Sequence, residues 1–152
     1  MRHDAVTLRR AVERYLGALE RFDLAAALAC FTEDAFYSHP PYGDGDNGGR
    51  RHEVCGHDAL LALFERRGHR SDVHHAVTHA AIEGDHGFVA GTFLHGNGLV
   101  TGSFISAVTL DADGRIAGYA AYASIPGVGG TVVTTTGGAC GKGHEQSPSG
   151  LR

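Results

Sequence analysis

The sequence predicts an α+β fold, with three helices from the N-terminal half packed on one face of a curved sheet. Two observations support this prediction. In the first half, apolar residues recur every three to four positions, which is typical of amphipathic helices. In the second half, apolar and polar residues alternate between glycine-containing turns, which is typical of strands joined by hairpins. Helices followed by a strand meander indicate an α+β domain.

In the first half, three helices and one short strand are expected. Asp23 can cap the second helix, and Gly68 follows the third helix at a position where glycine is favoured. The glycine-rich loop at 40–55 contains an Asp-x-Asp pattern but no glutamate where a calcium loop would need it, so we expect no calcium site. The predicted elements are helices at 4–21, 24–31 and 57–67 and a strand at 35–39 that ends before Pro40-Pro41.

In the second half, four alternating runs rich in Val, Thr, Phe and Tyr predict consecutive antiparallel strands. The turns between them contain Gly84, Gly96, Gly98 and Gly114. The predicted strands are 73–83, 87–95, 99–110 and 115–125.

The chain has 152 residues, a length that suits one globular domain better than two. We assign that domain to residues 4–125. Residues 126–152 contain many glycines, no aromatic residue and no hydrophobic period. They are expected to form a mostly disordered tail, with a last strand at 130–136 as the alternative.

Charge and hydrophobicity exclude several classes of partner. The net charge of −4 provides no basic field for phosphates, so we expect no nucleic-acid partner. No apolar run approaches the roughly 18 residues of a membrane helix, and the charged start does not resemble a signal peptide. The three cysteines lack zinc-binding spacing, which favours a reducing compartment. A cytoplasmic protein without a membrane partner is therefore expected.

Several runs along the chain resemble the nuclear transport factor 2-like superfamily, which includes ketosteroid isomerase, scytalone dehydratase, limonene epoxide hydrolase and SnoaL-type polyketide cyclases. The resemblance spans about residues 5–125 and is most specific in the first half. It implies that the curved, mixed or antiparallel sheet forms a cone, with the three helices of the N-terminal half on its concave face. It also implies a small-molecule pocket, activity without a cofactor, and pairing of two copies through the outer face of the sheet. The runs that carry it are Tyr15–Leu24, Phe31–Ala35, His39-Pro40 and Gly56–Leu60.

The resemblance also implies roles for individual residues. Compared with ketosteroid isomerase, an oxyanion-hole tyrosine falls on Tyr15, the general base on His39 and a second oxyanion donor on Ser106. Two of these positions differ in residue type from that enzyme, which argues against steroid isomerisation itself. Each position can still donate or accept a proton. Scytalone dehydratase is similar in having a pocket histidine on the strand that here carries His79.

The strand period gives independent grounds for some of these residues. It places Tyr37 and His39 on one face of the first strand, and His75 and His79 on one face of the next long strand. A slip of one residue would expose this second pair and bury His74 instead. An imidazole titrates near neutrality, so His39 is the first candidate for proton transfer. The remaining pocket candidates are Ser106, Tyr119, Thr92 and, on a loop that could close the mouth, Tyr42.

The sequence therefore predicts a cofactor-independent enzyme that acts on an apolar or polyketide-like small molecule by general acid–base catalysis, as an isomerase, dehydratase or cyclase. The predicted catalytic residues are His39, Tyr15 and His79, and the predicted substrate-binding residues are Ser106, Tyr119, His75, Tyr37 and Tyr42. We expect no metal and a homodimer. Three alternatives stay open: a non-catalytic binding domain, an epoxide hydrolase-like enzyme, and a metal site built from His39, His75 and His79.

Overall fold

The computed structural model describes residues 2–124. The predicted tail at 126–152 lies outside the described residues. In chain order the elements are α1 (Ala5–Glu20), α2 (Leu24–Ala29), β1 (Phe31–His39), a 3₁₀ turn (Asp46–Gly49), β2 (His52–Cys55), α3 (His57–Arg67), β3 (Val73–Glu83), β4 (His86–His95), β5 (Val100–Leu110) and β6 (Ile116–Ser124).

The helices begin and end where local chemistry favours it. The Asp4 carboxylate accepts a hydrogen bond from the Thr7 backbone N–H at 2.7 Å and caps α1. Asp23 caps α2 in the same way. Gly68, with φ of +71°, ends α3 in a conformation that glycine adopts without strain. The apolar stripe of α1 is buried against β3 and β4, and α3 packs on β1.

The six strands form one mixed, open sheet in the order β2-β1-β6-β5-β4-β3. β1 runs parallel to β6, and every other neighbouring pair is antiparallel. The helices of the N-terminal half pack on the sheet, so the predicted α+β cone fold is confirmed. Within residues 2–124, no helix is long and apolar enough to cross a membrane. The cytoplasmic location stays a prediction.

Two boundaries differ from the sequence prediction. β1 begins at Phe31 rather than at residue 35, because Phe31 pairs with Ile116 of β6, and α2 therefore ends at Ala29. The last four residues of the predicted loop form β2, which pairs with β1 through His39 and His52 among others. This edge strand is short and lacks an alternating pattern, so its sequence gives no strand signal.

A bulge in β3 changes which histidines face inward. Val77 pairs with Gly91 while His79 pairs with Ala90, so Thr78 is an extra residue in the strand. Before the bulge His75 faces the interior. After it the alternation is reversed, and His79 is exposed, with Nδ1 3.0 Å from the Thr78 hydroxyl. The prediction that His79 faces the cavity is wrong for this reason.

Five aromatic rings form the centre of the core and the base of the inner face. Tyr15 contacts Phe31 edge-on at 4.9 Å between centroids and stacks with Phe64 at 5.9 Å. Tyr37 stacks on Tyr119 at 5.5 Å with an interplanar angle of 9°. All five side chains are at most 3% exposed, so this cluster fixes the position of three tyrosine hydroxyls from three different elements.

Candidate active site

A cavity of about 670 Å³ lies between α1, the inner face of the sheet and the loop after β1. This volume suits a small organic molecule. Much of its wall is apolar and comes from α1 and strands β3 to β5, including Leu16, Leu19, Val73, Phe93 and Phe104. The rest of the wall carries polar side chains, chiefly tyrosines, histidines, arginines and serines.

The first polar group of the wall is a pair of tyrosine hydroxyls. Tyr15 reaches it from the buried stripe of α1 and Tyr37 from the inner face of β1, and their oxygens are 2.7 Å apart. Burial raises the pKa of both phenols well above the ordinary value. Both therefore stay protonated at neutral pH, and one proton of the pair is free to be donated to a substrate oxygen.

A second hydroxyl pair joins β5 and β6. The Ser106 hydroxyl donates to the Tyr119 oxygen at 2.8 Å. Ser106 is fully buried, and burial raises the pKa of Tyr119 to about 12. A phenol that accepts from serine keeps its own proton as a donor. The structure thus brings together the predicted residues Tyr15, Tyr37, Ser106 and Tyr119 on one wall.

His39 lies at the end of β1 and also lines the cavity. Its Nδ1 is 2.6 Å from the Pro40 carbonyl oxygen. A carbonyl can only accept, so Nδ1 carries the proton and Nε2 keeps a lone pair. The ring stacks on Tyr42 at 4.5 Å and lies parallel to Tyr37 at 6.1 Å. Burial, reinforced by the nearby charge of Arg67, lowers the pKa of His39 to about 3, so the imidazole is neutral at neutral pH.

The neutral state of His39 should make the fold acid-sensitive. In the unfolded chain this imidazole takes a proton near its ordinary pKa of 6.5, but in the folded chain only near about 3. Between these values the unfolded state binds more protons, so the free energy of unfolding falls as the pH falls through this window. From pH 7 to pH 4, roughly, the loss attributable to His39 is at most about 3 kcal/mol. Urea unfolding at both pH values checks this. His39→Gln should lose less stability than the parent protein, and an equal loss contradicts the assignment.

His75 is the second histidine of the wall, and it has a carboxylate partner. An oxygen of Glu20, the last residue of α1, accepts from the His75 backbone N–H at 2.6 Å and lies 3.0 Å from its Nδ1. Burial tends to raise the pKa of Glu20, but the hydrogen bonds from His75 outweigh it and lower the pKa. The carboxylate is therefore ionised. Its bond to Nδ1 leaves Nε2 as the nitrogen that can exchange a proton with a ligand.

Glu20 was not predicted as a site residue. It lies next to the apolar stripe of the first helix, where helical periodicity marks it as solvent-facing. Its role depends on the packing of the end of α1 against β3, a contact between residues 55 positions apart. No local signal in the sequence indicates such a contact.

The loop after β1 is fixed to the domain by one carboxylate. Asp46 accepts from the Tyr42 backbone N–H at 2.9 Å, contacts His52 Nε2 at 2.6 Å and accepts from Arg66 at 2.7 Å. The bond with His52, followed by the bond from Tyr42, lowers the pKa of Asp46 below its ordinary value. The loop thereby holds Tyr42 in the cavity wall, as predicted for that residue.

The remaining predicted residues lie elsewhere. Gly91 and Phe93, the neighbours of Thr92 along β4, lie on the inner face of the sheet. Because side chains alternate along a strand, Thr92 points away from the cavity. His39, His75 and His79 do not converge. Within residues 2–124 no three side chains of metal-ligating type come together.

Two arginines of the wall were also missed. Arg67 and Arg70 lie at the end of α3 and in the turn before β3. The only available signal was the basic run Arg66-Arg67-Gly68-His69-Arg70 between a predicted helix and a predicted strand. Such a run is more often a solvated helix end, because cations are favoured at helix C-termini.

Comparison with solved structures shows the same fold. A candidate isomerase of the SnoaL-like family from Agrobacterium tumefaciens is 14% identical, with a TM-score of 0.62 and coverage of 78% of this chain and 98% of that chain. A candidate polyketide cyclase from Sinorhizobium meliloti is 21% identical, with a TM-score of 0.54 and coverage of 74% and 93%. An LEH-like epoxide hydrolase from M. tuberculosis is 23% identical, with a TM-score of 0.54 and coverage of 79% and 84%.

No protein among the curated ones compared matches the sequence. The model of the SnoaL-like domain family, in contrast, matches residues 12–119. That segment contains part of α1, all of α2 and α3, strands β1 to β5 and the start of β6, and every polar group of the cavity wall described above. The protein belongs to the SnoaL-like domain family.

Proposed function

We propose that this protein is an enzyme that moves a proton on an apolar or polyketide-like organic substrate, by isomerisation, dehydration or cyclisation. The proposal rests on one observation. One cavity contains two protonated hydroxyl pairs together with His39 and His75, and each of these two histidines has Nδ1 tied to an acceptor. Donors for a developing oxyanion and acceptors for a proton are thus placed in one wall, which is what general acid–base catalysis beside a carbonyl requires.

His39 is the proposed proton acceptor. It is neutral at neutral pH, and the lone pair of Nε2 is available because Nδ1 is bonded to the Pro40 carbonyl. Burial lowers the pKa of this imidazole. An enolate or alkoxide forming beside the ring stabilises the imidazolium and offsets the effect of burial. The hydroxyls of Tyr15 and Tyr37 are the proposed donors to that oxyanion.

The pair of Glu20 and His75 is the proposed second proton carrier. Isomerisation and dehydration both need one proton removed and one proton delivered, so two groups serve them better than one. The Glu20 carboxylate orients the His75 ring through its bond to Nδ1. His75 takes the role expected of His79 from the sequence, because His79 lies on the opposite side of the bulge.

The comparisons support this class of reaction without selecting one member. Solved structures of the same fold are described as an isomerase, a polyketide cyclase and an epoxide hydrolase. Epoxide opening by a carboxylate pair is less well supported here. Among residues 2–124, the wall contains one carboxylate, the exposed Asp44 at the rim.

A proton-exchange assay tests the function before the natural substrate is identified. Aryl ketones and β-hydroxyketones are incubated with the protein in deuterated water, and loss of the proton next to the carbonyl is followed by NMR. We expect exchange above the protein-free rate for the ketones that bind. Ligands that bind at saturation without any enhanced exchange would contradict the proposal and support a non-catalytic binding domain instead.

We further propose that two copies pair through the outer face of the sheet. Phe88 and Ile105 are 61% and 51% exposed there. Ile105 lies between Ala90 of β4 and Tyr122 of β6, so the apolar surface continues across three strands. Apolar patches of this kind on a soluble domain mark interaction surfaces.

Ile105→Asp should convert the protein to a monomer, because it places a charge in the centre of this face. Light scattering during size-exclusion chromatography measures the mass. The control is Val6→Asp, which changes an equally exposed aliphatic residue (54%) on α1, away from the sheet. A dimer that persists in Ile105→Asp, or a parent protein that is monomeric at micromolar concentration, contradicts the proposed interface.

A further inference from the structure

We propose that the cavity takes its substrate as an organic anion and that Arg67, Arg70 and the Tyr42 hydroxyl form the subsite for the substrate's carboxylate. The inference rests on the proposed function only for the location of the site. It names the chemical class of the molecule bound there.

Arg67 and Arg70 are cations of the cavity wall without a carboxylate partner. Neither forms an ion pair with any acidic side chain of residues 2–124, although other arginines do. Arg66, the neighbour of Arg67 on α3, donates to Asp46 at 2.7 Å and does not line the cavity. The pairing pattern along this segment therefore leaves two guanidinium charges uncompensated on the cavity side.

Both guanidinium groups are held in place by the backbone. Arg70 Nη2 donates to the Tyr42 carbonyl at 2.6 Å, and the guanidinium lies 5.5 Å from the centre of the Tyr42 ring. Arg67 Nη1 donates to the Gly68 carbonyl at 3.3 Å. A guanidinium has five N–H donors, so each side chain keeps donors for a ligand after its backbone bond is made.

The Tyr42 hydroxyl adds a third donor. It is buried, and the nearby Tyr37 hydroxyl interacts with it only weakly, outside hydrogen-bonding geometry. Burial raises the pKa of Tyr42 to about 12, so the group stays protonated. A buried hydroxyl without an acceptor is costly, and a ligand oxygen in the cavity would satisfy it. Three groups with spare donors and no carboxylate partner among residues 2–124 are the complement of a carboxylate, which only accepts.

The charge of Arg67 extends to the proposed reaction centre. After burial, it is among the causes that lower the pKa of His39, and it also acts on Tyr15 and Tyr42. The Tyr42 ring stacks on His39 at 4.5 Å and lies 5.5 Å from the Arg70 guanidinium, so a carboxylate bound at this subsite lies near His39, and the rest of the molecule can extend along the apolar wall. The acidic side chain of the cavity wall, Asp44, lies at the rim and is exposed to solvent. It forms no ion pair with Arg67 or Arg70, so it does not compensate their charge.

A matched pair of probes tests this inference without knowledge of the substrate. 2-Naphthoate and 2-naphthamide have nearly the same shape but differ in charge, and their affinities are measured by isothermal titration calorimetry. We expect the carboxylate to bind the parent protein at least about tenfold more tightly, as charge-assisted hydrogen bonds are stronger than neutral ones. In the double variant Arg67→Gln with Arg70→Gln, the preference should fall to about twofold or less.

Two controls separate charge from folding. Arg14→Gln removes an exposed arginine of α1 that does not line the cavity, and it should retain the full preference. Arg67→Lys with Arg70→Lys keeps both charges and should retain most of it. Equal affinity for the two probes in the parent protein, failure of both to bind at millimolar concentration, or an undiminished preference in the double glutamine variant would overturn the inference.

The same measurement on His39→Gln separates this inference from the proposed function. The naphthoate preference should persist in that variant, because His39 is not part of the anion subsite. A protein that prefers naphthoate but catalyses no proton exchange retains the subsite and loses the proposed activity. A protein that catalyses proton exchange on ketones but shows no naphthoate preference retains the proposed activity and lacks the anion subsite.

Discussion

Replacing His39 with glutamine should lower the rate of ketone proton exchange by roughly 10²–10⁴-fold, the usual contribution of a positioned proton-transfer group. Glutamine approximates the volume of the imidazole and can still bond to the Pro40 carbonyl, so the surrounding tyrosines keep their packing. It offers no basic nitrogen to the substrate. The expected loss is therefore in the rate at saturation, with little change in the concentration needed for half saturation.

Two further histidine variants test whether the loss of activity is specific to His39. His79→Gln changes a residue of the same type on the exposed side of the bulge, and its exchange rate should equal that of the parent protein. His75→Gln removes the proposed second proton carrier and should slow product formation. Thermal unfolding at neutral pH shows whether each variant is folded. A folded His39→Gln protein with nearly unchanged exchange would remove His39 from the mechanism.

Much of the cavity wall could be predicted because it depends on local periodicity. Tyr15 falls on the apolar stripe of a helix, and Tyr37 and His39 alternate along one strand. Ser106 and Tyr119 likewise follow the period of two in regular stretches of β5 and β6. In such stretches the identity of the buried face follows from the sequence pattern alone.

The residues that were missed depend on contacts between distant parts of the chain. Glu20 gains its role from the packing of α1 on β3, and Arg70 gains its role from a bond to the Tyr42 loop. His79 was misplaced because one extra residue in β3 reverses the alternation. The position of a bulge depends on the residues of the neighbouring strand that pack against it. The sequence of the bulged strand alone does not contain this information.

Gly91 is the neighbour that faces this bulge. It pairs with Val77, the last residue before the alternation is reversed. A Cβ atom at Gly91 would lie 2.3 Å from the Ala76 carbonyl oxygen and 2.5 Å from the edge of the Phe104 ring. The absence of a side chain thus lets β3 and the Phe104 ring approach β4 closely. Ala76 directly follows His75, so this approach also positions one histidine of the cavity wall.

Gly91→Ala should therefore lower the free energy of unfolding by about 3 kcal/mol, which is the upper end of the usual cost of overpacking. The cost is high because the atom nearest to the added Cβ belongs to the backbone and can move only with the strand. The matched control is Gly96→Ala. Gly96 lies in the turn between β4 and β5, where an added Cβ meets nothing within 4 Å and φ is not positive. This variant should be as stable as the parent protein, or slightly more stable.

Urea unfolding measures both variants, and the exchange assay links the result to the site. If Gly91→Ala displaces β3, the bond between His75 and Glu20 is lengthened, and the variant should lose activity under conditions in which it is still folded. Stability and activity equal to those of Gly96→Ala would show that β3 adjusts to the added methyl group. In that case the bulge is not fixed by the contact with Gly91, and the inward position of His75 depends on Glu20 instead.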